Sequence, residues 1–112
     1  MKDNSRVGSE FKTLQQGQVV ISKKGRDKSE LFIVLNVATE QYGEFAWLVD
    51  GRLRSIEKPK KKKLKHIQPT KFIDFTLKHK LETKTNLENS DVRKAIRAFL
   101  ERDFLNAPPG EE

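Results

Sequence analysis

Gly17-Gln18-Val19-Val20-Ile21-Ser22-Lys23-Lys24-Gly25-Arg26-Asp27-Lys28 is the stretch on which the reading of the fold turns. Val19, Val20 and Ile21 form a β-branched run, the composition of a short strand. The run breaks into a polar, glycine-containing loop, Ser22 to Ser29, with four cations among residues 23–28. A second strand follows from Leu31 to Val37. Leu31, Phe32, Ile33, Val34 and Leu35 are apolar without alternation, so both faces of this strand need cover and it belongs in the middle of a sheet.

Working outward, Gln41-Tyr42-Gly43-Glu44 reads as a turn and Phe45 to Val49 as a third strand. Asp50-Gly51 is a two-residue hairpin signal of the type I′ kind. It predicts that Arg52-Leu53-Arg54-Ser55-Ile56 returns as a half-exposed fourth strand, with a bulge or strand end near Ser55. Pro59 offers no ladder donor and stops the sheet. Lys60 to Lys65 then runs extended over the surface, and His66-Ile67 returns as a last short strand. Five short strands with tight turns in about 50 residues suggest a small SH3-like β-barrel. Upstream lie a polar tail and a short helix from Ser9 to Gln16, with Phe11 and Leu14 on one face. Downstream are a helix from Lys71 to Lys80, with Phe72, Ile73 and Leu77 on a common side, and a second from Ser90 to Phe104. Asn89 or Ser90 can cap the second helix, and Val92, Ile96, Phe99 and Leu100 form its apolar stripe. The expected organisation is mainly β: an N-terminal tail over 1–16, the barrel over 17–70, a helical C-terminal appendage over 71–107 and a tail over 108–112.

Composition narrows the function. Apolar and charged residues each make up 35% of the 112-residue chain, so it is rich in surface and modest in core. It has no cysteine and two histidines, His66 and His79, which argues against disulfides and a zinc site. The N-terminus lacks the apolar segment of a signal peptide, and Leu31 to Ala38, the longest mostly apolar stretch, is too short to span a bilayer. A soluble, cytoplasmic protein is expected. No arrangement of residues suggests catalysis, and neither a cofactor nor a metal is called for.

The net charge of +7 sits in one place. Residues 1–51 are neutral overall and residues 72–112 carry −1, while residues 52–71 hold nine basic groups against one acid. Like charges packed together repel, and a polyanion relieves that repulsion while releasing its own counterions. No amphipathic helix or lipidation signal adjoins the lysines, so a membrane is not the expected partner.

Residues 17–68 resemble the KOW-domain RNA-binding proteins related to large-subunit ribosomal proteins of archaea and eukaryotes, in particular small bacterial-type members. The resemblance is carried by residues 17–28, by Val49-Asp50-Gly51 and Arg54, and by Glu57-Lys58-Pro59-Lys60-Lys61-Lys62-Lys63-Leu64-Lys65-His66. It implies an SH3-like barrel whose first loop and basic edge bind ribosomal RNA. The family loop usually has a second glycine where Ser29 stands here.

The expected function is therefore binding of structured RNA, ribosomal RNA above all, in translation or ribosome assembly. The expected contacts come from Lys23, Lys24, Gly25, Arg26 and Lys28 in the loop. Arg52, Arg54, Lys58, Lys60, Lys61, Lys62, Lys63, Lys65 and His66 supply the rest. Gly25 permits close approach of backbone to phosphate, Arg26 can grip a phosphate bidentately, and the lysines act as point charges. Trp47 is expected in the core, and Tyr42, beside a turn, is the better base-stacking candidate. The alternative is a protein-interaction module using the barrel or the C-terminal amphipathic helix, with a ribosomal protein as one partner. Non-specific DNA binding is a third reading.

Overall fold

The computed structural model describes residues 14–105. Most of the expected Ser9–Gln16 helix and the 108–112 tail lie outside them. Five strands form one antiparallel sheet: β1 (Gln18–Ser22), β2 (Leu31–Glu40), β3 (Gly43–Val49), β4 (Lys60–Lys63) and β5 (Ile67–Ile73). Two helices follow, α1 (Phe75–Thr83) and α2 (Asn89–Leu105). The sheet order is β4-β3-β2-β1-β5, which places the doubly apolar β2 in the middle. The domain is mainly β with a C-terminal helical part. The sheet is not closed, because β4 and β5 occupy its two edges and are not paired with each other.

The two faces of the sheet build two cores. Val19, Ile33 and Val49 face the helices and pack with Leu77 and Leu81 of α1 and Val92 and Ala95 of α2. Val20, Phe32, Val34, Ala46, Leu48 and Ile67 fill the opposite face. Ala46 and Leu48 sit on β3 and Ile67 on β5, with β2 and β1 between them. In a flat sheet that separation would be about 14 Å. No α-helix among the described residues covers that face, yet Val20, Val34, Ala46 and Leu48 on it are fully buried and the three-residue turn Leu64–His66 brings β4 round to β5, so the sheet curls.

Three expectations are corrected. Arg52 to Ile56 is not a strand. Asp50 folds the chain locally: its carboxylate accepts from the Arg52 and Arg54 N–H groups at 2.8 and 2.9 Å. The Ile56 N–H donates to the Asn89 side chain at the start of α2 (2.8 Å). With those donors spent, residues 52–56 do not ladder onto β3. Gly51 does have positive φ (+80°), but it serves to admit α2: a Cβ there would lie 2.7 Å from the Asn89 carbonyl oxygen and from Arg93 Cγ. The partner of β3 is instead Lys60–Lys63, the segment expected to run over the surface. Its register pairs Lys63 with Phe45, Lys62 with Ala46, Lys61 with Trp47 and Lys60 with Leu48. Finally, Lys71 to Ile73 belongs to β5, not to a helix. The Asp74 side chain caps α1 by accepting from the Leu77 N–H (3.0 Å), which fixes the helix start at Phe75. At α2, the Asp91 carboxylate reaches back to the Glu88 N–H (2.9 Å), so Asp91 does the capping and Asn89 is free to hold the 50–58 loop.

Candidate nucleic-acid interface

A β-strand sends alternate side chains to opposite faces, and this rule divides the lysine run. Ala46 and Leu48 point into the curled core, and their partners Lys62 and Lys60 lie on the same face. Both reach the β1–β2 loop, where Asp27 waits. Lys62 Nζ lies 3.2 Å from Asp27 Oδ1 and Lys60 Nζ 3.5 Å from Oδ2, and the Ser22 hydroxyl donates to Oδ1 at 2.8 Å. The Lys62 side chain is only 10% exposed and that of Asp27 13%. Burial opposes ionisation of Asp27. The hydrogen bonds from Ser22 and Lys62 and the charges of Lys62 and Lys60 outweigh it, and hold the carboxyl below its ordinary range.

Phe45 and Trp47 point the other way with Lys61. The Lys61 ammonium lies over both rings, 4.5 and 5.3 Å from their centroids, and 2.7 Å from Glu40 Oε1. Trp47 is half-buried in this outer cluster and belongs to neither core, contrary to expectation. Phe45 and Trp47 alternate with Ala46 and Leu48, and the apolar run concealed that alternation.

A lysine group with no ion pair among the described residues remains. Lys23 and Lys24 leave the end of β1. Lys63 ends β4, and Lys65 lies in the 3-10 turn Leu64–His66 that joins β4 to β5. The His66 carbonyl accepts from the Lys23 N–H at 2.9 Å, which ties the turn to the loop. His66 reports the convergence. Partial desolvation, and then the charges of Lys24, Lys65, Lys62 and Lys63, hold its imidazole below the ordinary histidine range. Beside this cluster lies an open cleft of about 610 Å³ with Lys23, Lys63 and Lys65 on its walls, Leu64 and Ile67 in its floor, and Tyr42 at its rim.

Other expected contacts lie apart. Arg52 lines a notch of about 440 Å³ on the helical side, with Arg93, Arg97, Leu53 and Leu100. Sequence reasoning missed Arg93 and Arg97 because they lie more than 20 residues beyond the basic window. Arg26, Lys28, Arg54 and Lys58 are exposed, and none of them lines the cleft. Gly25 takes φ +96°, and an added Cβ would sit 3.6 Å from Lys62 Nζ, so the loop tip rests against the anchoring lysine. Ser29 adopts φ +75°, the left-handed region that glycine would occupy more readily, and its N–H donates to the Ser22 carbonyl at 2.7 Å. The loop keeps the conformation a glycine would favour, at the cost of strain on the serine.

No protein-family model matches the chain, and no curated protein matches it. No helix among the described residues is long and apolar enough to cross a membrane.

Proposed function

We propose that the chain is a KOW-type, SH3-like small barrel that binds structured RNA, ribosomal RNA first among the candidates, through the lysine-walled cleft. The observation that carries this reading is the meeting of Lys23 with Lys63 and Lys65, from two segments far apart in sequence, on the walls of one cleft. Such clustering is electrostatically unfavourable in isolation, and phosphates relieve it. The barrel reading is supported by the link between the two edge strands. A turn of three residues joins β4 to β5, so the sheet's edges meet within roughly 10 Å. The sequence resemblance to KOW proteins supports the ribosomal assignment.

The phosphate-contacting set is narrower than the basic window. It comprises Lys23, Lys24, Lys63, Lys65 and His66, whereas Lys60 and Lys62 hold the loop and Lys61 covers the outer aromatics. The protein-interaction alternative narrows too, because Val92 is fully buried and Ile96 and Phe99 pack on the core. Its remaining motive is exposed Leu53 and Leu100 beside the arginines of the notch.

Sedimentation with ribosomal subunits tests the proposal. The protein should travel with the large subunit at low salt and leave it as salt rises, the log–log slope growing by roughly 0.7–0.9 per neutralised phosphate. The combined Lys23→Glu, Lys63→Glu and Lys65→Glu variant should stay at the top of the gradient. Wild-type protein at the top at every salt overturns the ribosomal reading. A triple variant that sediments like wild type overturns the cleft as its site.

A further inference from the structure

The cleft is not built for phosphate alone. A groove that only tracked a backbone would need cations and little else, yet here Leu14, Leu64 and Ile67 provide an apolar floor. Gln68 and Pro69 also line the cleft. Tyr42 stands at the rim on the β2–β3 turn with 77% of its surface exposed. A large aromatic ring left in water beside an apolar floor and three ammonium groups has the character of a stacking platform, not of a core residue. Gly43, at φ +132° with nothing within 4 Å of an added Cβ, follows it, so the backbone next to Tyr42 is open to solvent. Glu44 is also on the wall. A carboxylate repels phosphate but accepts hydrogen bonds from the amino and imino groups of a base edge, and the Gln68 amide, whose present contact to the Pro69 carbonyl is long at 3.3 Å, can donate or accept. About 610 Å³ lies within the range of pockets that hold small organic groups.

We infer that the cleft takes one unpaired nucleobase, stacked on Tyr42 over the Leu64–Ile67 floor, while Lys23, Lys63 and Lys65 hold the flanking phosphates. This rests on the RNA-binding reading and deepens it. The ligand is a splayed-out or single-stranded nucleotide within a folded RNA, not the regular surface of a duplex. Contacts of this kind suit RNA loops and bulges, whose bases can leave the stack.

Fluorescence anisotropy with three labelled probes of equal length tests the inference: a single-stranded RNA, an RNA duplex, and a strand of abasic ribose phosphates. All present phosphates, but only the first presents accessible base faces. Wild-type protein should bind the single strand roughly five- to a hundredfold more tightly than the abasic strand, the range expected for one stacked base. Tyr42→Ala should lose that preference while its affinity for the abasic strand stays unchanged, and Tyr42→Phe should keep it. Tyr42 is exposed, so the variants should melt with wild type. Equal wild-type affinity for the single strand and the abasic strand overturns the inference and leaves RNA binding standing. So does a preference that survives in Tyr42→Ala. Failure of wild type to bind any of the three probes overturns both.

Discussion

The basic window divides at Pro59 into two halves with opposite fates. Residues 52–56 alternate like a strand and follow the Asp50-Gly51 hairpin signal, yet they form a loop held by the Asp50 carboxylate and by Asn89 of α2. Residues 60–63 are four consecutive lysines, a residue depleted in strands, yet they form the edge strand paired with β3. Where the chain pairs depends on which backbone donors are already engaged, and local composition is a weaker influence. The division also sorts the charges. Arg52 goes to the helical side and joins Arg93 and Arg97, whereas Lys63 and Lys65 meet Lys23 at the cleft. A net charge of +8 in one window therefore does not describe one surface.

Five tests would break or sharpen this contrast. The largest effect is expected at Gly51, where the first half is pressed against α2. Gly51→Ala forces an L-residue to positive φ and drives its Cβ into the Asn89 carbonyl, so a loss of about 3 kcal/mol is expected, read as a fall in thermal midpoint of roughly 15 °C. A midpoint within a few degrees of wild type would mean that the loop is not locked to the helix.

Asp27 anchors the second half. Asp27→Ala strands Lys62 with its side chain 10% exposed and leaves the Ser22 hydroxyl without its acceptor, for an expected loss of about 2 kcal/mol. Because the folded carboxyl titrates below its ordinary value, this stabilisation is complete above the unfolded aspartate pKa of about 3.9 and disappears as pH falls through the lower folded value. Wild-type and variant unfolding curves should therefore stay separated at neutral pH and converge in acid. Separation that persists in strong acid would show that packing, not charge, is what Asp27 contributes.

The third comparison sets lysines against arginines. Lys63→Ala combined with Lys65→Ala should weaken RNA binding about tenfold and lower the salt slope by about 1.4–1.8. Arg52→Ala combined with Arg54→Ala should leave the slope unchanged. Equal effects from the two pairs, measured by titration over a salt series, would erase the distinction between the halves. Ser29→Gly should act in the opposite sense to the first two variants. By relieving the positive φ in the loop that Lys60 and Lys62 hold, it should raise stability by about 0.5–1 kcal/mol in a denaturant titration. A decrease would show that the serine hydroxyl or chain entropy outweighs the strain.

The smallest effect is expected from pH. Lys24, Lys65, Lys62 and Lys63 hold the His66 pKa down in the free protein, after desolvation, and bound phosphates would offset those charges and raise it. Binding then takes up a proton, so affinity should increase a few-fold as pH drops from about 7.5 to 5.5. His66→Gln should flatten the response. A wild-type profile that is already flat would place the phosphates away from the turn.

Much of the sheet was legible because β-branched and aromatic runs bounded by glycine loops mark strands regardless of context. The unbroken apolar character of residues 31–35 correctly located the central strand, and the stripe on α2 correctly marked a helix with a buried face. What sequence could not display were the long-range competitions. Asn89 takes the Ile56 donor from 33 residues away. Asp27 takes Lys62 from 35 residues away. Trp47 looked like core because strand alternation is hidden when both faces are apolar. For the candidate site, the cations and Tyr42 were all visible in the sequence. Their division into anchoring and available groups depends on the parity of β4, which cannot be known before its pairing with β3.

β4 and β5 each keep one unpaired edge, and an unpaired edge invites another chain to pair with it. Both edges here carry deterrents. β4 is made entirely of lysine, so a second copy laid alongside would bring like charges together along the whole strand. β5 carries Pro69, which has no donor to offer. The same lysines that anchor a loop and neighbour a cleft thus also guard the protein against edge-to-edge aggregation, whether or not any ligand is bound.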